Sequence, residues 1–95
     1  MKHDKNILTN LGFVQTHSYL GYIVYVNERY NLKFEQGSSN GDRYVNLYEN
    51  SETIYHFTIA VWATDTSLKY DASIKQCFKT ITKIIRKKKI ENLLK

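Results

Sequence analysis

The sequence predicts an α+β fold: a four-stranded antiparallel meander sheet, with a short N-terminal helix and a long basic C-terminal helix packed on one of its faces. Three observations carry this expectation. Apolar residues alternate with period two between Tyr19 and Trp62, the mark of half-buried strands. The turns between the alternating runs are too short for a crossover, so consecutive strands must be antiparallel neighbours. From Ile74 onward the apolar period lengthens to that of a helix. With 95 residues and neither an internal repeat nor a low-complexity linker, the chain reads as a single domain, residues 1–95.

Taken in order, Asp4 can cap a short helix carrying Ile7, Leu8 and Leu11 on one side, and Gly12 stops it. In the first strand Leu20, Tyr22, Val24 and Val26 share one face, and Tyr19, Gly21, Ile23 and Tyr25 the other. Asn27-Glu28 is a short turn, after which Tyr30, Leu32 and Phe34 alternate with Asn31, Lys33 and Glu35. The segment from Gly37 to Asp42 reads as a loop, and its Asn40-Gly41 suits a turn with positive φ. Val45 and Leu47 then point one way, Tyr44 and Tyr48 the other, and the chain turns again from Glu49 to Glu52. A last strand from about Thr53 to Trp62 sets Tyr55, Phe57, Ile59 and Val61 against Ile54, His56, Thr58 and Trp62. For the final helix, Ser73 with Gln76 fits a capping box, and Asp71 is an alternative cap. Ile74, Cys77, Phe78, Ile81, Ile84 and Ile85 fall within about 120° of one another, a stripe wide enough to pack on a sheet.

Composition excludes several classes. Hydrophobic residues make up 42% and charged residues 24%, both ordinary for a folded protein. No apolar run approaches the ~20 residues that span a bilayer, and none follows Met1 as a secretory signal would. The one cysteine, Cys77, cannot form an internal disulfide. The expected compartment is therefore a reducing cytoplasm. Proline is absent, and Lys, Asn, Ile and Tyr supply 36 of the 95 residues; their A/T-rich codons point to a low-GC gene. The net charge of +5 is unevenly placed: residues 1–71 hold six Lys/Arg and eight Asp/Glu, whereas residues 72–95 hold eight Lys/Arg and one Glu. Such asymmetry points to an acidic or polyanionic partner.

Two surfaces stand out as candidate binding sites. Lys75, Lys79, Lys83 and Lys87 recur at i, i+4 on the helix side opposite the apolar stripe, Arg86 lies in the same arc, and no acid falls between Ala72 and Ile90. The plain reading is a solvated helix face; the functional one is a ridge that tracks phosphates or docks on an acidic protein. The second surface is the sheet face left open by the helices, expected to show Tyr44, Tyr48, Ile54, His56 and Trp62, with Tyr19, Ile23 and Tyr25 from the first strand. Such rings can anchor an interface or stack nucleobases, although tyrosine also simply favours strands. The tail from about residue 88 is a third feature. Ile90, Leu93 and Leu94 leave the apolar stripe, while Lys88 and Asn92 occupy the positions that would continue it. Either the helix breaks near Lys88, or its end frays with leucines scattered on the surface, or the last turn packs on something else, a second copy being the economical candidate for a dimer.

Catalysis finds little in the residues. His3, His17 and His56 are scattered, no spacing resembles a metal site, Cys77 sits on the buried stripe, and the turn at 37–41 lacks the features of a phosphate loop. The expectation is a non-enzymatic protein with no catalytic, cofactor or metal residues.

The segment Leu11-Gly12-Phe13, the strand-forming run from Tyr19 to Tyr25 and the ending on a Lys-rich helix are similar to small accessory proteins of phages and mobile elements in low-GC bacteria, anti-CRISPR and other anti-defence inhibitors among them. The resemblance implies an inhibitor of a macromolecule in the cytoplasm of a bacterial host, a protein or protein–nucleic-acid complex, and the expected mode of action is steric occlusion through the aromatic sheet face and the basic helix together. Its basic charge departs from the acidic DNA mimics of that group. The alternatives are direct nucleic-acid binding, or a sponge for a phosphorylated nucleotide signal held between subunits.

Overall fold

The computed structural model describes residues 7–93, and the expected cap Asp4 and tail residue Leu94 lie outside them. A helix α1, described over residues 7–10, leads into five strands: β1 (Val14–Tyr19), β2 (Tyr22–Asn27), β3 (Leu32–Ser39), β4 (Asp42–Glu49) and β5 (Glu52–Ala60). One long helix, α2 (Thr66–Leu93), completes the chain. All neighbours are antiparallel and the spatial order follows the sequence, β1-β2-β3-β4-β5, so the sheet is a simple meander.

The sheet has five strands where the alternation predicts four. Residues 14–27 form a hairpin about Leu20-Gly21, both at positive φ (46° and 83°). Two-residue turns of this hand match the twist of the flanking strands. Leu20 conceals the turn: it extends the apolar alternation in sequence, yet it sits at the hairpin tip with 85% of its surface exposed. The same turn geometry recurs at Asn40-Gly41 and at Asn50-Ser51. The expected loop from Gly37 to Asp42 therefore shrinks to two residues, with β3 running on to Ser39 and β4 starting at Asp42. Tyr30, expected in a strand, is buried in the four-residue link between β2 and β3.

Gly12 ends α1 as the sequence suggests. With φ at 94°, it lets Phe13 N donate to Leu8 O and Gly12 N to Thr9 O, and the buried pair Leu8 and Phe13 closes this cap. The two edge strands are each interrupted, β1 by a bulge between Gln15 and His17 and β5 by one opposite Leu47/Tyr48. Such irregular edges are poor templates for further strand pairing.

The core lies between the sheet's inner face and α2. Tyr25, Phe34 and Leu47 are register partners across β2, β3 and β4, and Tyr55 of β5 joins that row. Ile74, Cys77, Phe78, Ile81 and Ile85 of α2 meet this layer, with Phe78 5.3 Å from Phe34 between ring centroids. The predicted stripe is thus the buried one, and Ile84 flanks it. The helix begins seven residues before Ser73, so the expected capping box is internal. Ser73 is buried and its Oγ lies 2.7 Å from the Tyr55 hydroxyl. At the true start, the Thr66 hydroxyl donates to Ala60 O at 2.9 Å and ties α2 to the end of β5.

Of the buried polar side chains among the described residues, Asn27, Ser73 and Thr66, the first lies deepest. Asn27, 2% exposed, donates from Nδ2 to Leu11 O at 2.9 Å and accepts at Oδ1 from Tyr30 N at 3.2 Å. It joins the exit of α1 to the β2–β3 link. Asn27→Ala removes both partners at once and leaves buried backbone groups unpaired, so it should lower stability by about 2 kcal/mol. Urea denaturation at neutral pH, with the slope unchanged and the midpoint reduced, is the measurement that checks this.

Candidate functional site

The expected residues separate onto two sides of the molecule. Because α2 covers the inner face of the sheet, its lysines point away from the sheet and the aromatic residues of the outer face point the opposite way. Lys75, Lys79, Lys83, Arg86 and Lys87 are all exposed. None forms an ion pair among the described residues, where the single such contact joins Lys88 Nζ to Glu49 Oε2 at 2.9 Å. Lys88 also donates to Tyr30 O at 2.8 Å. Its place in the continuation of the apolar stripe is thereby explained: the long stem reaches down to the strand ends, and the ammonium is held there by a carboxylate and a carbonyl.

Beside the ridge runs a groove of about 480 Å³ between α1 and α2. Among the described residues it is lined by Ile7, Phe78 and Thr82 together with the flanking Lys75, Lys79, Lys83 and Arg86. Sequence periodicity finds the cations but not the groove. Ile7 reads as one more core residue of α1, whereas only Leu8 of that helix is fully buried.

On the outer face, β-sheet register brings Glu35 of β3 between Tyr22 of β2 and the β4 residues Tyr44, Asn46 and Tyr48. Its carboxylate accepts three hydrogen bonds: from the Tyr22 hydroxyl at 2.7 Å, the Tyr48 hydroxyl at 2.9 Å and Asn46 Nδ2 at 3.0 Å. Asn46 Oδ1 then pairs with His56 Nδ1, and His56 Nε2 lies 2.9 Å from the Thr58 hydroxyl. The Lys33 ammonium sits 5.1 Å from the centre of the Tyr48 ring. Partial burial pulls the Glu35 carboxyl upward, but the donors Asn46, Tyr22 and Tyr48 together with the charge of Lys33 outweigh it and hold the group below its ordinary value of 4.5. The hydrogen bond to Glu35, then burial, push the Tyr22 phenol up to about 12. A shallow depression of about 390 Å³ opens between Glu35, Tyr44, His56 and Thr58.

Of the expected aromatic surface, Tyr44, Tyr48 and His56 lie together on this outer face. Tyr25 and Ile23 do not, because the β1–β2 hairpin reverses their parity and turns them to the inner face. Trp62 does not either: β5 ends at Ala60, and Trp62 projects from the following turn with 76% of its surface exposed and its ring against Gly41. Ile54 is the extra residue of the β5 bulge. Glu35, Asn46 and Tyr22 are the members missed in sequence; Glu35 reads there as a charge on a wet face, and only the register reveals its three donors.

Elsewhere the reactive groups are quiet. Burial pushes the Cys77 thiol up to about 12. Among the described residues no group of three His, Cys, Asp or Glu side chains could hold a metal ion, and no helix is long and apolar enough to cross a membrane. The helix does not break at Lys88 but runs on to Leu93, leaving Ile90 and Leu93 exposed at its end. No family model matches this sequence, and no curated protein or solved structure matches it either.

The Glu35 hub has a pH signature. A carboxyl ionising below its ordinary value contributes stability that is full above that value and is lost as pH falls through the folded-state value. Urea midpoints measured downward from pH 6 should therefore fall below about pH 5. Glu35→Gln should start from a lower midpoint at neutral pH and show a flatter acid limb.

Proposed function

We propose that this chain is a non-enzymatic binding protein that docks through the solvent-facing side of α2 on an acidic surface of a macromolecular partner and acts by occluding it. The observation that carries this reading is the row of five exposed cations, Lys75, Lys79, Lys83, Arg86 and Lys87, which no carboxylate neutralises among the described residues. Successive lysines at i, i+4 repel one another by a few tenths of a kcal/mol per pair, so the row works against the helix it sits on. Packing tolerates that cost; it does not call for it. The resemblance to phage and mobile-element accessory proteins extends the reading to an inhibitor of a host defence macromolecule.

The outer sheet face supports a stacking role for nucleobases less well. Its rings surround an ionised carboxylate, and the Tyr48 ring is already beneath Lys33. Phosphate contact through the ridge alone remains the form in which a nucleic acid would be bound.

Titration with labelled oligothymidylate and with polyglutamate tests the ridge. Five contacts at a log–log slope of about −0.7 each imply roughly a hundredfold loss of affinity for the oligonucleotide between 50 and 200 mM salt. Lys79→Glu combined with Lys83→Glu should remove binding to both probes; unchanged binding would end this reading.

A self-association surface at the end of α2 is favoured by a separate observation, the exposure of Ile90 (53%) and Leu93 (86%) beyond the last core residue, Ile85. Ile90→Asp with Leu93→Asp should convert a dimer seen by sedimentation equilibrium into a monomer, and a wild-type monomer at high concentration would exclude the dimer.

A further inference from the structure

The groove beside the ridge narrows the kind of partner. Resting on the reading of α2 as the docking side, we infer that the α1/α2 groove receives an acidic amphipathic helix of a partner protein, whose apolar side chains enter the groove while its carboxylates meet the flanking lysines.

Three features of the site favour that occupant. The first is chemistry: among the described residues the lining joins the apolar Ile7 and Phe78 and the Thr82 side chain to four cations, Lys75, Lys79, Lys83 and Arg86, with no carboxylate. A phosphate backbone has charge for the cations but nothing for the apolar lining. The second is spacing. Lys75, Lys79 and Lys83 recur every four residues, about 6 Å along the helix axis, which is also the spacing of carboxylates at i, i+4 on a partner helix. Two helices lying side by side can therefore match charges over several turns while apolar residues at i, i+3 and i+4 fill the recess between them. The third is relief. Phe78 is almost fully buried and Thr82 half-buried, so beside the exposed Ile7 the surface dips and offers a shallow seat for side chains, whereas insertion into a lipid surface needs a row of projecting apolar groups. A second copy of this chain does not fit through its own α2, because that helix would bring the same positive row to the flanking lysines.

The test uses the full chain and a designed helical peptide with leucines at i, i+3, i+4 and i+7 and glutamates flanking them. A scrambled peptide of identical composition, oligothymidylate and phosphatidylserine vesicles serve as comparison probes, all measured by fluorescence anisotropy or co-sedimentation at 150 mM salt. The designed peptide should bind one to one and at least tenfold more tightly than the scrambled one. Thr82→Arg separates the groove from the ridge, because it adds a positive charge while filling the recess. It should weaken the designed peptide at least tenfold and strengthen the oligonucleotide; circular dichroism melting confirms that the variant is folded. The inference is overturned if both peptides bind equally, if Thr82→Arg tightens the designed peptide, or if only vesicles or only oligonucleotide bind. In each of those cases, sensitivity to Lys79→Glu with Lys83→Glu would leave the ridge reading standing. Insensitivity of every probe to that charge reversal would remove both.

Discussion

The contact of α2 with the inner face of the sheet determines what the rest of the surface can do. Ile74, Phe78, Ile81 and Ile85 are buried on that side, and Phe78 meets Phe34 at the centre of the sheet. Burying such side chains is worth about 2 kcal/mol each, whereas the three successive lysine pairs on the far side cost a few tenths each. Packing therefore wins by several-fold and fixes the rotation of the helix about its axis. Once that rotation is set, the lysines have only one direction to face. The same contact leaves the opposite sheet face open, since α1 and α2 both lie on the inner side with Leu8 and Phe13 in the shared core.

The open face then has to solve a different problem. A sheet surface rich in Tyr, His and Asn is costly to leave with unpaired polar groups in partial burial, and Glu35 resolves this by gathering three donors. Depression of its own titration and the raised phenol of Tyr22 are two sides of one arrangement, a charge stabilised by hydroxyls that must keep their protons. The Tyr22 and Tyr48 hydroxyls are thus turned along the sheet to Glu35 rather than out to a partner. What this face also presents is the short chain from Asn46 through His56 to Thr58, and the Tyr48 ring beneath Lys33.

Much of this architecture is legible in the residues, and the failures have identifiable physical causes. The stripe from Ile74 to Ile85, the Gly12 stop and the turns at Asn40-Gly41 and Asn50-Ser51 follow directly from periodicity and turn chemistry. The missing strand traces to Leu20, an apolar residue tolerated at positive φ because the hairpin twist demands that geometry. From it follows the misplacement of Ile23 and Tyr25, since a turn inserted in an alternating run reverses every later side chain. Trp62 was carried onto the sheet by alternation that the chain abandons at Ala60. The start of α2 is not legible in the residues because its first turns, residues 66–72, carry only Thr66 and Tyr70 on the buried side, too few to show a period. The cationic row was readable in full. Its groove was not, because a recess arises from how two helices meet and no single segment encodes that.

The back-to-back arrangement of the two surfaces bears on how the molecule can act. α2 is 28 residues long, about 42 Å, and nearly spans the 49 Å long axis of the molecule. A flat partner that lies along it cannot also reach Glu35, Tyr48 and His56 on the far side of the sheet. Cooperation between ridge and aromatic face on one surface of a single partner is therefore excluded by geometry unless that partner wraps the domain. Among the described residues the ridge carries charge that no carboxylate neutralises, beside an apolar recess, whereas the Glu35 carboxylate of the sheet face is satisfied by three donors. Of the two, the helix side is the one whose charges stay unpaired among the described residues. Lys88 marks where that side stops being available, because there the cation is turned inward to Glu49 and Tyr30 and the row of free charge gives way to a structural contact.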